Sequence, residues 1–163
     1  MNYSFHIVNG HELHPVLEPL YRAHYSEIQD RLKEAGSPVG PYNPQLTEYF
    51  AAMDRGTLLT FIVVESETVV GYCNIWLHKD MHNGEEMASE DAIFVLKSHR
   101  NGVGKLLVKF ILGHLKSLGV KRVTISAVAD LRVAKIWKRM GFRHVAEMMT
   151  FTFGDEDVPT PSS

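Results

Sequence analysis

Apolar and polar positions alternate in two distinct periods along this chain, and the change of period marks its elements. Phe5 to Val8 is short and apolar enough for a strand. From His11 to Ala35, Leu13, Val16, Leu17, Leu20, Ile28 and Leu32 recur at helical spacing, which predicts a long amphipathic helix. Pro15 fits a first turn, whereas Pro19 should perturb the helix start. Gly36 to Pro44 is rich in Gly and Pro and reads as a loop. Gln45 to Met53 predicts a short helix through Leu46, Tyr49, Phe50 and Met53. Thr57 to Glu65 and Thr68 to His78 are strands joined by a tight turn, and so form a hairpin. His82 to Glu86 is a polar loop, and Met87 to Leu96 is a further strand.

That strand runs through Lys97-Ser98-His99-Arg100-Asn101 into Gly102-Val103-Gly104. A helix follows at once, with Val103, Leu106, Leu107, Phe110, Ile111, Leu115 and Leu118 as its apolar stripe and Gly119 as its stop. Arg122 to Val128 alternates as a strand, Leu131 to Met140 is a second helix closed by Gly141-Phe142, and Val145 to Phe153 is a last strand. The tail Gly154 to Ser163 is acidic and Pro/Ser-bearing and reads as disordered, leaving residues 1–153 as a single domain.

The unit of strand, glycine turn and helix carries chemistry. The first amides of a helix lack intrahelical partners, and the helix dipole favours an anion beside them. Glycine lets a ligand approach the backbone closely. A nucleotide P-loop would need Gly at His99 and Ser or Thr after Lys105, where the chain has Leu106. A dinucleotide fingerprint would need Gly at Leu107. The turn by itself is also compatible with a structural role ahead of a core helix.

Composition narrows the field without choosing a function. The 163 residues have room for one sizeable core, with 45% hydrophobic and 22% charged residues. A net charge of −2 gives no basic field for nucleic acid. The single cysteine, Cys73, excludes an intrachain disulfide and suits a reducing cytoplasm. No apolar run is long enough to span a membrane, and the N-terminus lacks the pattern of a secretory signal.

The segment His99-Arg100-Asn101-Gly102-Val103-Gly104 resembles the pyrophosphate loop of the GNAT superfamily of N-acetyltransferases: Arg or Gln, two residues, Gly, one residue, then Gly or Ala. His99 stands at the first position, with Arg100 beside it. Downstream, Ile136-Trp137-Lys138-Arg139-Met140-Gly141-Phe142 resembles the family's last helix and its Gly-Phe ending. The motif-bearing likeness spans residues 87–153. The order of elements also resembles the GNAT arrangement, an α/β fold with a central mixed sheet and helices on both faces.

The resemblance implies acetyl-CoA as co-substrate and a primary amine as acceptor. It implies that the backbone of Phe94 and Val95 pairs with the pantetheine arm, and that the amides of Asn101, Gly102, Val103, Gly104 and Lys105 hold the pyrophosphate. His99, Arg100 and Lys105 would add cations or donors there. Asp130 and Trp137 occupy the places of the family's cofactor-side Asn and Tyr. An indole cannot serve as the acid that tyrosine provides. That departure keeps open a second reading, a GNAT-fold protein that binds CoA for regulation or interaction with little catalysis.

Transfer to an amine needs a base, because the amine is protonated at neutral pH. Glu90 and Asp91 lie early in the strand before the glycine turn, and alternation sends them to opposite faces. The family often uses a glutamate in that strand, which favours Glu90 over Asp91. Cys73 sits mid-strand among apolar residues and reads as an inert thiol, so direct transfer in a ternary complex is expected. His78, His82, Glu85 and Glu86 lack a metal-binding pattern, and no metal is expected. Tyr72, Asn74 and Trp76 share a face that could line the acceptor pocket, with Tyr42-Asn43 as a lid. The acceptor itself, a small-molecule amine or a protein or peptide amine, is not readable, and a homodimer is compatible with the chain.

Overall fold

The computed structural model describes residues 2–128 and 130–154. The expected disordered tail therefore lies, apart from Gly154, outside the described residues. The elements are β1 (Tyr3–Val8), α1 (His14–Glu34), α2 (Leu46–Arg55), β2 (Leu58–Glu65), β3 (Thr68–Lys79), β4 (Glu86–Val95), α3 (Val103–Ser117), β5 (Arg122–Thr124) and α4 (Leu131–Arg139). A short 3₁₀ turn, Lys97–His99, connects β4 to α3. The chain divides into two compact units, residues 1–26 with 42–126, and residues 27–41 with 127–163.

The first unit holds the whole sheet, in the order β1-β2-β3-β4-β5. β1 to β4 pair antiparallel, whereas β5 lies parallel to β4. A parallel pair needs a crossover, and α3 supplies it. One face of the sheet packs on α3: Val103, Leu107, Ile111 and Leu115 meet Phe61, Val63, Cys73, Ile75, Ala88 and Val95. The other face packs on the early part of α1, where Leu17 and Leu20 meet Ile62, Tyr72 and Phe94, and on α2, where Ala52 and Met53 meet Leu58. Each fully buried Leu or Phe here contributes about 1.5–3 kcal/mol, so the two apolar faces suffice to fix the strand register.

Pro19 does not interrupt α1. It lacks only the N–H that would reach the carbonyl of Pro15, and both residues are exposed, so water can serve that carbonyl. Gly71 allows β3 to approach β4: a Cβ there would stand 2.9 Å from the carbonyl oxygen of Phe94.

Two expected strands differ. The strand expected over Arg122 to Val128 pairs with β4 only through Thr124. The strand expected over Val145 to Phe153 is not formed, although its residues are described. Val145, Met148, Met149 and Phe153 stay exposed there, and a strand needs a partner edge as well as apolar side chains. In the second unit, Ser37 and Thr152 share a 3.3 Å hydrogen bond, and Gln29 Nε2 donates to the carbonyl of Gly40.

Candidate active site

The register of β3 and β4 decides which groups are available. Leu96 N–H bonds the carbonyl of Val70 at 2.9 Å, and Gly71 faces Val95 while Tyr72 faces Phe94. Antiparallel pairs alternate between bonded and non-bonded, so Phe94 spends its backbone groups on Tyr72. Ile93 and Val95 turn theirs to the opposite edge. On that edge β5 pairs with β4 only at Met87, Ala88 and Ser89. From Glu90 onward no strand pairs with that edge of β4 among the described residues. Of the expected pair Phe94 and Val95, only Val95 presents its amide there. The carbonyl of Val95 already accepts from Arg100 Nε at 2.6 Å.

β4 leads directly into the glycine turn. Gly102 is the N-cap of α3 at φ 86°, a conformation that suits Gly, and no side chain caps the helix. The first helical hydrogen bond runs from Leu106 N–H to the carbonyl of Gly102, at 3.3 Å. The amides of Val103, Gly104 and Lys105 therefore precede the ladder and point out of the helix end. A Cβ at Gly104 would meet no atom of the described residues within 4 Å, so the position beside Gly104 is open among them. No acidic residue occupies this first turn.

The basic residues of the turn are arranged differently from one another. Arg100 folds back on the strand, its guanidinium 5.3 Å from the centre of the Phe94 ring. His99 Nδ1 lies 3.0 Å from Tyr3 Oη and 3.3 Å from Glu65 Oε2, so it faces the sheet end rather than the open turn. Asn101 and Lys105 are exposed. Backbone amides, with Lys105 nearby, are thus the groups best placed for an anion.

A bulge separates the two carboxylates. Asn74 pairs with Ala92 and Ile75 with Glu90, so Asp91 is the extra residue of β4. Glu90 accepts from Ser126 Oγ at 3.1 Å, just beyond the last pair of β4 and β5. Burial raises its pKa above the ordinary carboxylate value, although the hydroxyl and amide of Ser126 act in the opposite direction. Asp91 is exposed and faces the α2 side: Trp76 Nε1 donates to one of its oxygens at 3.1 Å and Tyr49 Oη to the other at 2.9 Å. Burial, with the Asp91 charge beside it, pushes the Tyr49 hydroxyl pKa well above its usual range. Tyr72, Asn74 and Trp76 do share this face: Asn74 Oδ1 accepts from Thr60 Oγ1 and its Nδ2 donates to Tyr21 Oη. Cys73 is 1% exposed on the α3 side, and desolvation raises its thiol pKa well above normal.

Asp130 and Trp137 belong to the second unit. Asp130 is the N-cap of α4, accepting from the amides of Arg132 and Val133. Slight burial raises its pKa, but these amides outweigh it and hold the carboxyl below its usual value. Trp137 is 8% exposed, with its ring 6.2 Å from that of Phe142.

The acetyltransferase (GNAT) family model matches residues 20–142, three quarters of the chain including the β4 edge, the glycine turn and the Gly-Phe ending. The chain belongs to the GNAT family. Solved structures of similar fold include an aminoglycoside acetyltransferase from an uncultured soil metagenomic sample (TM-score 0.72, 14% identity, covering 94% of this chain and 100% of that one). Ribosomal-protein-alanine N-acetyltransferase from Brucella melitensis biovar Abortus 2308 is similar at TM-score 0.68 and 10% identity, covering 93% and 100% of the two chains. Glucosamine-6-phosphate N-acetyltransferase from Arabidopsis thaliana is similar at TM-score 0.66 and 13% identity, covering 94% and 100%. No curated protein sequence matches the chain.

The candidate site holds three residues that the sequence did not single out for it. Ser126 was read only as part of a strand, Tyr49 only as an apolar helix position, and Ile93 only as a strand residue. The pairing of β4 with β3 identifies Ile93 as an edge residue. The contacts of Ser126 and Tyr49 have no signal in local spacing.

Proposed function

We propose that this GNAT protein is an acetyl-CoA-dependent N-acetyltransferase that moves an acetyl group to a primary amine by direct transfer in a ternary complex. One observation carries the reading: β4 loses its β5 partner at Glu90, has no strand paired to that edge through Val95 among the described residues, and then feeds the first amides of α3, which its N-cap Gly102 leaves without a side-chain cap. An extended arm bearing a diphosphate matches that sequence of groups. Val95 and Ile93 would pair with the arm, and Val103 to Lys105 would hold the diphosphate. The thioester end would then reach the parting of the strands, where Glu90 stands.

The reaction forms an N–C bond and breaks the C–S bond of the thioester. Glu90 takes the proton from the attacking nitrogen, directly or through a water, and its raised pKa brings it closer to working pH. A thiolate with an ordinary pKa of about 8.5 can leave without a strong acid and collect its proton from water. That relieves the requirement for the acid that Trp137 cannot supply. The buried Cys73 thiol offers no route through an acyl-enzyme. The substitution of Trp137 also motivates a reading in which the protein binds CoA with little catalysis. Thiol release from acetyl-CoA across an amine panel tests the proposal: turnover with at least one primary amine is expected. Binding without turnover would select the second reading, and no binding would reject both.

A further inference from the structure

The Asp91 carboxylate is placed with more care than a solvated strand residue needs. It is the extra residue of a bulge, on the face opposite Glu90, and two aromatic donors hold one oxygen each. The rings of those donors, Tyr49 and Trp76, stack at 6.2 Å with 22° between their planes. Among the described residues Asp91 has no ion-pair partner, so its charge is oriented but unanswered. Burial raises the pKa of the Tyr21 hydroxyl, and the Asp91 charge adds to that rise. The Tyr42 Oη is buried and has no hydrogen-bond partner among the described residues. The Arg22 guanidinium lies 4.8 Å over the Tyr42 ring, and Glu18 already answers it at 2.6 Å. An oriented carboxylate bordered by aromatic rings is suited to a cation, which gains both the charge-assisted hydrogen bond and the ring quadrupole. Each Asp91 oxygen keeps capacity for a further donor.

We propose that Asp91, framed by Tyr49 and Trp76, is a subsite for a second cationic amine, so that the acceptor is a small-molecule diamine. This rests on the acetyltransfer reading above. One nitrogen is acetylated beside Glu90, and the other, still protonated, pairs with Asp91 on the opposite face of β4.

Thiol release with linear diamines of two to six carbons, each compared with the monoamine of the same chain length, tests this without any variant. The best diamine should exceed its matched monoamine in kcat/KM by about tenfold to a hundredfold, the range for a hydrogen bond to a charged group. Asp91→Asn should collapse that preference mainly through KM, and Asp91→Glu should retain part of it. Calorimetric titration of diamine into the CoA-loaded protein should show the same order in Kd. Equal kcat/KM for diamines and monoamines would overturn the proposal while leaving the acetyltransfer reading intact. A loss in Asp91→Asn confined to kcat, with a shifted acidic limb of the pH profile, would overturn it in favour of Asp91 as base. Acetyl-CoA binding with no thiol release from any amine would overturn the acetyltransfer reading and this one with it.

Discussion

Substitution at Gly104 should move stability and affinity in opposite directions. Gly104 is the second residue of α3, and a Cβ there would meet no atom of the described residues within 4 Å. Glycine inside a helix costs about 0.5–1 kcal/mol relative to alanine. A carboxylate in a first turn gains a further 0.3–1 kcal/mol or so from the dipole, and this first turn carries none. Gly104→Glu should therefore stabilise the unliganded protein by about 1 kcal/mol, a rise of roughly 2–4 °C in Tm for a chain of this size. The same carboxylate would stand in the open space beside Gly104. Juxtaposed like charges cost several kcal/mol, so the Kd for acetyl-CoA should rise at least about a hundredfold. Gly104→Ala should share the gain in stability with a smaller loss of affinity. Gly104→Lys, of similar length but opposite charge, should bind better than Gly104→Glu. Scanning calorimetry of the free variants and titration calorimetry with acetyl-CoA measure the two quantities separately. An unchanged Kd in Gly104→Glu would refute the assignment of this turn to the diphosphate. A lowered Tm would refute the reading of open space.

Three further outcomes are expected of variants at Glu90 and Cys73. Glu90→Gln should lower kcat by about 10²–10⁴-fold with little change in the Kd of acetyl-CoA, and an unchanged pH–rate profile would remove Glu90 from the mechanism. Because the Glu90 pKa is raised in the folded state, its favourable contribution exists at acid pH and is lost as pH rises through that value. Glu90→Gln should then melt above the wild type at neutral pH, with the gap closing below about pH 4; a lower Tm at neutral pH would contradict this. Cys73→Ala should keep turnover with no acyl-enzyme detectable by mass spectrometry, at a modest cost in Tm; abolished turnover in a folded variant would reinstate the thiol as a nucleophile.

The elements of the sheet unit were legible because their apolar positions have a clear period. Leu107, Ile111 and Leu115 are buried at the spacing that marked their helix. The opposite facing of Glu90 and Asp91 was legible from strand alternation. The bulge was not, because an extra residue leaves composition and spacing of apolar residues nearly unchanged. It determines which neighbours each carboxylate meets. The roles of Phe94 and Val95 could not be separated for a similar reason: donor direction depends on pairing parity, which only the partner strand sets. His99 and Arg100 were legible as basic residues of the turn, but the His99 side chain is drawn to Glu65, distant in sequence, and that of Arg100 folds back to the carbonyl of Val95, and basic character alone signals neither direction. Asp130 carried a legible signal that the family comparison masked, since an Asp just before a helical run is a common N-cap. Val145 to Phe153 has the composition of a strand, yet composition cannot supply a partner edge.

Amide hydrogen exchange, resolved by residue and measured with and without saturating acetyl-CoA, tests the central claim most directly. Slowed exchange should appear at the β4 edge amides Ile93 and Val95 and at Val103, Gly104 and Lys105, the uncapped start of α3. Phe94, already bonded to Tyr72, should change little. Protection absent from both the strand edge and the helix start, while acetyl-CoA is bound, would contradict the placement of the co-substrate on which the account rests.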